Sequence, residues 1–445
     1  MPSPTNQTST RNDMLLKRSL RAVWHPCTQM KQHETLPLIP VACAAGCWLY
    51  DFEGRRYLDA VSSWWVNLFG HANPRINAAL IEQLASLEHA MLAGFTHEPV
   101  VELSEKLSAL TRGTLGHCFY ASDGASATEI ALKMSFHFWR NTGKPQKTQF
   151  VSLKGSYHGE TLGALAVTDV ALFRDTYAPL LSRSVQVTSP DWRAAGAGES
   201  PRDFALRCAL DLERYLAAHH PATAAFIVEP LVQGASGMAM HHPVYLSRAR
   251  EICDRYGVHL IADEIMTGFG RTGTFFAHEQ AGITPDFLCL SKGITGGYLP
   301  LSVVLTRDSI YEAFYDDDVT RGFLHSHSYT GNALACRAAL ATLDIFETDG
   351  VIEANRGKAA TMNELAQPLS AHARVRDFRN TGMIWAFEVD LAVEGLARRI
   401  HEAALARELL LRPIGPTVYF MPPYTISEEE LAMLVDRTVE IVEGL

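Results

Sequence analysis

Between about residues 115 and 305, short continuous apolar runs alternate with stretches whose apolar residues recur at helical spacing. The runs are His117–Ala121, Gln149–Leu153, Ala225–Glu229, His259–Asp263, Phe287–Leu290 and Leu301–Leu305. Runs that do not alternate, each set between helices, predict a mostly parallel sheet buried on both faces. Upstream, apolar stretches from Leu38 to Tyr57 are broken at Gly46 and at Asp51–Gly54, which predicts a small antiparallel sheet. Asn73–Leu110 reads as helix with a break at His97-Glu98-Pro99, and Arg193–Pro201 as loop. Past about residue 332 the pattern is helical, then strand-like over Val375–Val389, then helical, then Val418–Met421, which predicts a separate α+β domain. Residues 1 to about 12 are polar and expected to be disordered.

Composition narrows the class. The chain has 445 residues, 47% hydrophobic and 20% charged, enough for a large core. A net charge of -10 leaves no basic footprint for nucleic acid. No apolar run approaches the roughly 18–20 residues of a membrane span, and the polar N-terminus carries no secretory signal. Without secretion, the acceptor pattern Asn6-Gln7-Thr8 has no consequence. The eight cysteines include no Cys-x-x-Cys, and Cys43 and Cys47 lack a second pair to complete a metal site. They read as small buried residues in a reducing compartment, hence a cytoplasmic protein without a metal.

Candidate chemistry concentrates at two strand ends. The run His259–Asp263 ends on an acid, and Phe287–Leu290 leads into Ser291-Lys292-Gly293, with Gly296-Gly297 just beyond. Parallel sheets bind ligands at such carboxyl ends. A lysine amine can condense with the aldehyde of pyridoxal phosphate, and a carboxylate can keep the pyridine nitrogen protonated. Taken singly, Lys292 reads as a solvated lysine and Asp263 as a helix cap or ion-pair member; together they favour function. Ser122–Ser126 follows a strand and opens a helix, which suits a phosphate as well as an ordinary turn capped by Ser122. Tyr157 in Tyr157-His158-Gly159 could stack on a flat ring, although a loop histidine is more often structural. Gly268-x-Gly270-x-x-Gly273 matches a dinucleotide fingerprint in form, but it does not directly follow the strand and opens no clear helix. It reads as a glycine-rich loop beside the site. His325 and His327 read as hydrogen-bonded structure, and Ser328 or Thr330 could donate to a phosphate. Of Trp64 and Trp65, one suits the core and the other an apolar channel. Arg412 could clamp a carboxylate in bidentate fashion, while on its own it reads as a surface salt bridge.

In this order the motifs resemble the class III (omega) aminotransferases of the fold-type I pyridoxal phosphate enzymes, from about Trp24 to Val442. The most specific stretch is Asp263–Gly273 followed by Ser291-Lys292-Gly293. Trp24–Met30, Ser62–Trp65, Tyr157–Gly159, Glu229–Gly234, Arg412–Gly415 and Met421–Tyr424 are most similar to the members that aminate 8-amino-7-oxononanoate in biotin biosynthesis, with S-adenosylmethionine as donor. The resemblance implies an α/β fold. A large domain over 71–334 would hold a mostly parallel seven-stranded sheet flanked by helices. A smaller α+β domain would come from 335–445, joined by the segment 1–70. It implies pyridoxal phosphate as cofactor and a homodimer with its active site at the interface. Lys292 would bond the cofactor and move the proton, Asp263 would pair with the pyridine nitrogen, and Tyr157 would pack on the ring. Gly124 and Ala125 would bind phosphate, with Ser328 reaching the phosphate of the neighbouring subunit. Trp64, Trp65, Tyr157, Gly331 and Arg412 would line the substrate site, Arg412 binding the keto-acid carboxylate.

Three positions depart from the pattern. Cys27 stands where S-adenosylmethionine-using members usually have tyrosine, Glu160 where they have aspartate, and Ala125 where they have serine. A lysine-using relative, a broader omega-aminotransferase or an aminomutase is the alternative within the fold. A nicotinamide-dependent oxidoreductase using Gly268–Gly273 is the alternative from another class.

Overall fold

The apolar runs become strands of one sheet. The computed structural model describes residues 9–36, 38–182 and 184–445. Along the chain the strands are β1 (Val41–Ala45), β2 (Trp48–Asp51), β3 (Arg56–Asp59), β4 (His117–Ala121), β5 (Gln149–Leu153), β6 (Val185–Val187), β7 (Thr223–Val228), β8 (Val232–Gln233), β9 (Ala239–Met240), β10 (His259–Asp263), β11 (Phe287–Leu290), β12 (Ser302–Thr306), β13 (Val375–Thr381), β14 (Ile384–Val389), β15 (Leu409–Leu410) and β16 (Thr417–Phe420). Seven of them form the large sheet, in the order β4-β12-β11-β10-β7-β5-β6. From β11 to β6 all neighbours are parallel, whereas β12 runs antiparallel to both β11 and β4.

Every residue of β7, β10, β11 and β12 is buried, because helices cover both faces. On one side Phe226 and Leu260 cluster with Leu212, Leu216 and Ile252, from the helices Pro201–His219 and Val244–Tyr256. On the other, Ile227, Ile261 and Phe287 cluster with Ile130 and Met134 of the helix Gly124–Asn141. The carboxyl ends of β7, β10 and β11 therefore deliver Glu229, Asp263 and Lys292 to one rim of the sheet.

Two smaller sheets flank this layer. The antiparallel strands β1, β2 and β3 are completed by β15, which runs parallel to β3 and so ties the N-terminal segment to the C-terminal part. The strands β13, β14 and β16 form an antiparallel sheet. The glycine-rich loop 268–273 packs between the sheets. Its Arg271, fully buried, donates to the carbonyls of Asn67 and Pro422 at 2.8 and 2.9 Å. The loop is thus a structural tie, with no helix opening at Gly273.

Some expectations fail locally. Residues 1–8, with the acceptor pattern Asn6–Thr8, lie outside the described residues. The expected disorder is not found at residues 9–12: Thr10 caps a helix, Arg11–Ala22, through a capping box with Asp13. Its buried Asn12 donates to Asp51 at 3.0 Å. The break in the 73–110 helix is wider than three residues, separating Pro74–Leu84 from Glu98–Leu110. Pro99 lies in the first turn of the second helix, where its missing N–H costs nothing. The cap of Gly124–Asn141 is Asp123, whose carboxylate accepts from Ser126 N–H at 2.9 Å; the neighbouring Ser122 instead bonds His327 Nε2 at 3.0 Å.

Candidate active site

A cavity of about 860 Å³ opens at the rim where β7, β10 and β11 end. Lys292, Asp263, Glu229, Tyr157, Gly124, Ala125, Trp64, Trp65 and Arg412 all line it. The structure thus brings together every predicted site residue except Ser328 and Gly331.

Lys292 begins a short 3-10 turn with φ of 47°, an uncommon conformation for a non-glycine residue. The turn is held from behind: Gly297 has φ of +88°, and a Cβ there would lie 2.8 Å from Asn67 Cα. Lys292 Nζ sits 5.2 Å from the Trp65 ring centroid. Burial pushes its pKa below the ordinary lysine range, against the opposing pull of Asp263 and Glu229. The lysine is partly buried on the cavity wall, and the expectation of a solvated surface lysine does not hold.

Asp263 is fixed from two sides. Its Oδ1 accepts from Ile265 N–H at 3.1 Å, and its Oδ2 lies 2.7 Å from His158 Nδ1. A carboxylate can only accept there, so His158 carries its proton on Nδ1. His158 is 2% exposed, and its Nε2 has no partner among the described residues. The histidine read as structural from sequence is therefore the direct support of the site acid. Its signal in the sequence was the Tyr-His-Gly loop after β5.

Tyr157 is half-buried, edge-on to Phe173 at 5.5 Å, and donates from its hydroxyl to Glu160 at 2.9 Å. Burial first, and then the Glu160 charge, push the phenol pKa up. Cys27 and Glu160 both line the cavity. Trp64 and Trp65 lie in a turn, Ser62–Trp65, whose four φ values run from 46 to 73°. Such strain persists where surrounding bonds overdetermine it. Here Ser62 Oγ donates to the Met421 carbonyl at 2.7 Å, and Ser63 donates to both Asp59 oxygens at 2.9 and 2.7 Å. Trp65 is core-like at 7% exposure, its Nε1 donating to Tyr419 at 3.0 Å, whereas Trp64 is 41% exposed. Arg412 lies over the Trp64 ring at 4.4 Å. It makes no ion pair among the described residues, so the surface salt bridge expected for a lone arginine is absent.

The residues present fit pyridoxal phosphate. The helix Gly124–Asn141 points its N-terminus into the cavity, and the first N–H groups of a helix have no intrahelical partner. Asp123 takes Ser126 N–H, leaving Gly124 and Ala125 for an anion. A Cβ on Gly124 would meet Ile265 Cγ2 at 2.9 Å, so a larger residue would disturb this wall. Lys292, Asp263 and the Tyr157 ring supply an amine, an anion and a flat face around the same space.

Ser328 is exposed and lies outside the cavity of its own chain; its carbonyl takes a hydrogen bond from His89 at 2.9 Å. Gly331 is buried, accepts from His97 at 2.8 Å, and also stays outside. His325 Nδ1 lies 2.8 Å from Lys133 Nζ, so both paired histidines are engaged in hydrogen bonds. Glu229 was overlooked: it is 6% exposed, lines the cavity, and accepts N–H bonds from Tyr157 and Gly234 at 3.0 Å each. Like Asp263, it is an acid that follows an apolar strand, which is the signal that could have found it.

Residues 29–442 match the aminotransferase class-III family, and the chain belongs to that family. Over 435 residues it is 47% identical to the adenosylmethionine-8-amino-7-oxononanoate aminotransferase of Helicobacter pylori, covering 96% of this chain and 97% of that protein. It superposes on the adenosylmethionine-8-amino-7-oxononanoate aminotransferase of Methanocaldococcus jannaschii with a TM-score of 0.91 at 34% identity, covering 97% and 99% of the two chains. An amine transaminase from an uncultivated Pseudomonas species, in its PLP-bound form, gives 0.89 at 31% identity over 95% and 98%. The protein is an aminotransferase, and the oxidoreductase alternative falls with that assignment.

Proposed function

We propose that the protein moves an amino group from S-adenosylmethionine to 8-amino-7-oxononanoate, giving 7,8-diaminononanoate and the 2-oxo acid of the donor, in biotin biosynthesis. The observation that carries this reading is one cavity joining Lys292 and Asp263 to a tryptophan wall, with an unpaired arginine over it. An apolar wall ending in one cation suits a long aliphatic keto acid with a terminal carboxylate. The relatives from Helicobacter pylori and Methanocaldococcus jannaschii carry the name of this reaction.

Pyridoxal phosphate is the cofactor; when bound it supplies an aldehyde that takes up amines and a ring that accepts electrons. Gly124 and Ala125 would hold its phosphate, Tyr157 one side of its ring, and Asp263 a proton at the pyridine nitrogen. Lys292 Nζ would bond the aldehyde, be released when the donor's amine displaces it, and as the free amine take the proton from the donor's α carbon and return one to the acceptor. Its lowered pKa favours the neutral amine needed for both tasks. Arg412 would bind the acceptor's carboxylate, and Trp64 and Trp65 its aliphatic chain.

The active unit is a homodimer in this reading, with Ser328 and Gly331 completing the neighbouring subunit's site. Their distance from their own chain's cavity supports it. Residues 71–334 form the large domain, and 1–70 join 335–445 in the small one, supported by the β3–β15 pairing. The eight free cysteines support a reducing compartment, the cytoplasm. No helix among the described residues is long and apolar enough to cross a membrane.

Lysine as donor is the second reading, favoured by Cys27 and Glu160 in the cavity wall. Mixing the loaded enzyme with S-adenosylmethionine and, separately, with L-lysine tests both. Loss of the cofactor's absorbance band with S-adenosylmethionine alone supports the first reading. Loss with lysine alone overturns it.

A further inference from the structure

Glu229 has no task in the reaction as drawn, yet it is buried in the wall of the reacting cavity. It follows β7 at the rim, beside the strand that ends in Asp263. Its two oxygens are divided between two walls. Oε2 accepts from Tyr157 N–H at 3.0 Å, and Oε1 from Gly234 N–H at 3.0 Å.

Both partners sit where small shifts matter. Tyr157 carries the aromatic wall. Gly234 and Ala235 form a turn pressed against Trp65: a Cβ on Gly234 would lie 2.6 Å from Met266 Sδ and 3.1 Å from the Trp65 ring. The turn's far side is held independently. Arg379 donates to the carbonyls of Met238 at 3.0 Å and Gly237 at 2.5 Å, and Ser236 Oγ bonds the Gly155 carbonyl. On its near side Glu229 reaches the Tyr157 backbone, beside Gln233, whose Nε2 donates to the Lys154 carbonyl at 3.0 Å.

The charge is costly where it stands. Among the described residues Glu229 forms no ion pair, and the charged or titratable groups around it are Tyr157, His158, His241, Asp263 and Lys292. Burial pushes its carboxyl up to about 7, with Asp263 adding to the rise against the pull of His158. A buried acid so perturbed, in a cavity, is a candidate for a functional role.

We propose that Glu229 is a positioning residue: its carboxylate clamps the Tyr157 wall to the Gly234–Ala235 wall and so fixes the space between Lys292, the Tyr157 ring and Trp65. This rests on the transaminase reading of the cavity. A glutamine at 229 offers one oxygen acceptor and one NH₂ donor to two N–H donors, so one bond becomes a repulsion.

The test is hydrogen exchange by mass spectrometry on peptides containing Tyr157 and Gly234, in the wild type, Glu229→Gln and Glu229→Asp. Exchange should speed up at both amides in Glu229→Gln, and at one in Glu229→Asp, which keeps the charge but is a methylene too short to span both. In the loaded enzyme kcat should fall roughly ten-fold in Glu229→Gln, with KM for both substrates within about two-fold, since misplacement by an ångström or less mainly slows the reacting step. Glu229→Asp should recover part of that loss. Unchanged exchange at both amides in Glu229→Gln, or a loss confined to KM, overturns the proposal. If Glu229→Gln does not fold, Glu229→Asp carries the same exchange comparison. Exchange is read without substrate, so it judges the clamp even if the wild type uses different substrates from those proposed above.

Discussion

Asp263→Asn isolates the charge that the site places opposite Lys292. The exchange is nearly isosteric, and the asparagine oxygen can still accept from Ile265 N–H, now at 3.1 Å. What disappears is the negative charge that, in the proposed reading, faces the pyridine nitrogen. Two unit charges about 4 Å apart, at an effective dielectric of about 20, attract by about 4 kcal/mol. At about 1.4 kcal/mol per decade, that predicts a fall in the proton-transfer rate of about a thousand-fold. His158 is affected too. With the oxygen kept toward Ile265, the asparagine NH₂ faces His158 Nδ1, 2.7 Å away in the wild type, so His158 must move its proton to Nε2, which has no partner among the described residues, and accept at Nδ1 instead. The assay is rapid mixing of the loaded variant with S-adenosylmethionine, following the cofactor band, beside a thermal melt and a count of bound cofactor. The expected result is near-normal loading and melting with the rate reduced by about three decades. A rate within ten-fold of wild type, at full loading, would refute the pairing of Asp263 with the ring nitrogen.

Three further outcomes follow from the same geometry. Lys292→Ala should lower transamination by about 10⁴-fold or more with circular dichroism unchanged, because the base and the covalent anchor go together; clear residual turnover would contradict its role. Arg412→Ala should raise KM for the keto acid by about 10- to 100-fold, the worth of one charged hydrogen-bonded contact, and spare the donor half-reaction; equal loss in both halves would refute carboxylate binding. Burial alone would raise the Asp51 carboxyl, but N–H bonds from Glu53 and Arg55, and side-chain bonds from Arg55 and Asn12, hold it below its ordinary range. A depressed folded-state pKa gives stability that is complete above the unfolded value of about 3.9 and is lost as pH falls through the folded value. Asp51→Asn should therefore destabilise by about 1–3 kcal/mol at neutral pH, with the gap to wild type closing in urea titrations at progressively more acid pH; a gap constant with pH would count against this account.

The large sheet was legible because strands buried on both faces are apolar in their interiors: β11 is apolar throughout, and in β7, β10 and β12 polar residues stand at the ends alone, at Thr223, His259, Asp263, Ser302 and Thr306. The strand β6 was missed because three residues, Val185-Gln186-Val187, pair with β5 alone and leave no run to read. The helix Arg11–Ala22 escaped for a different reason. Its face is mostly polar and exposed, and its order comes from a capping box and two long-range bonds of Asn12, to Asp51 and from Phe52 N–H, that no local pattern encodes.

The site was legible unevenly, and the division follows how each residue acts. Lys292 and Asp263 could be found because reactive groups at strand ends interrupt an apolar pattern. His158 and Glu229 act through partners distant in sequence, His158 through Asp263, 105 residues on, and Glu229 through Tyr157, 72 residues back, besides its local bond from Gly234. A residue whose value lies in one such contact looks, in one dimension, like any loop histidine or strand-end acid. Ser328 and Gly331 lie a step further out, since in the homodimer reading their partners belong to another copy of the chain. The same reasoning separates the two acids at the rim. Each oxygen of either acid accepts one bond, but one partner of Asp263 is a side chain, His158, whereas Glu229 holds backbone N–H groups of two different cavity walls. Replacing Asp263 should therefore alter the chemistry, and replacing Glu229 the shape of the space in which it occurs.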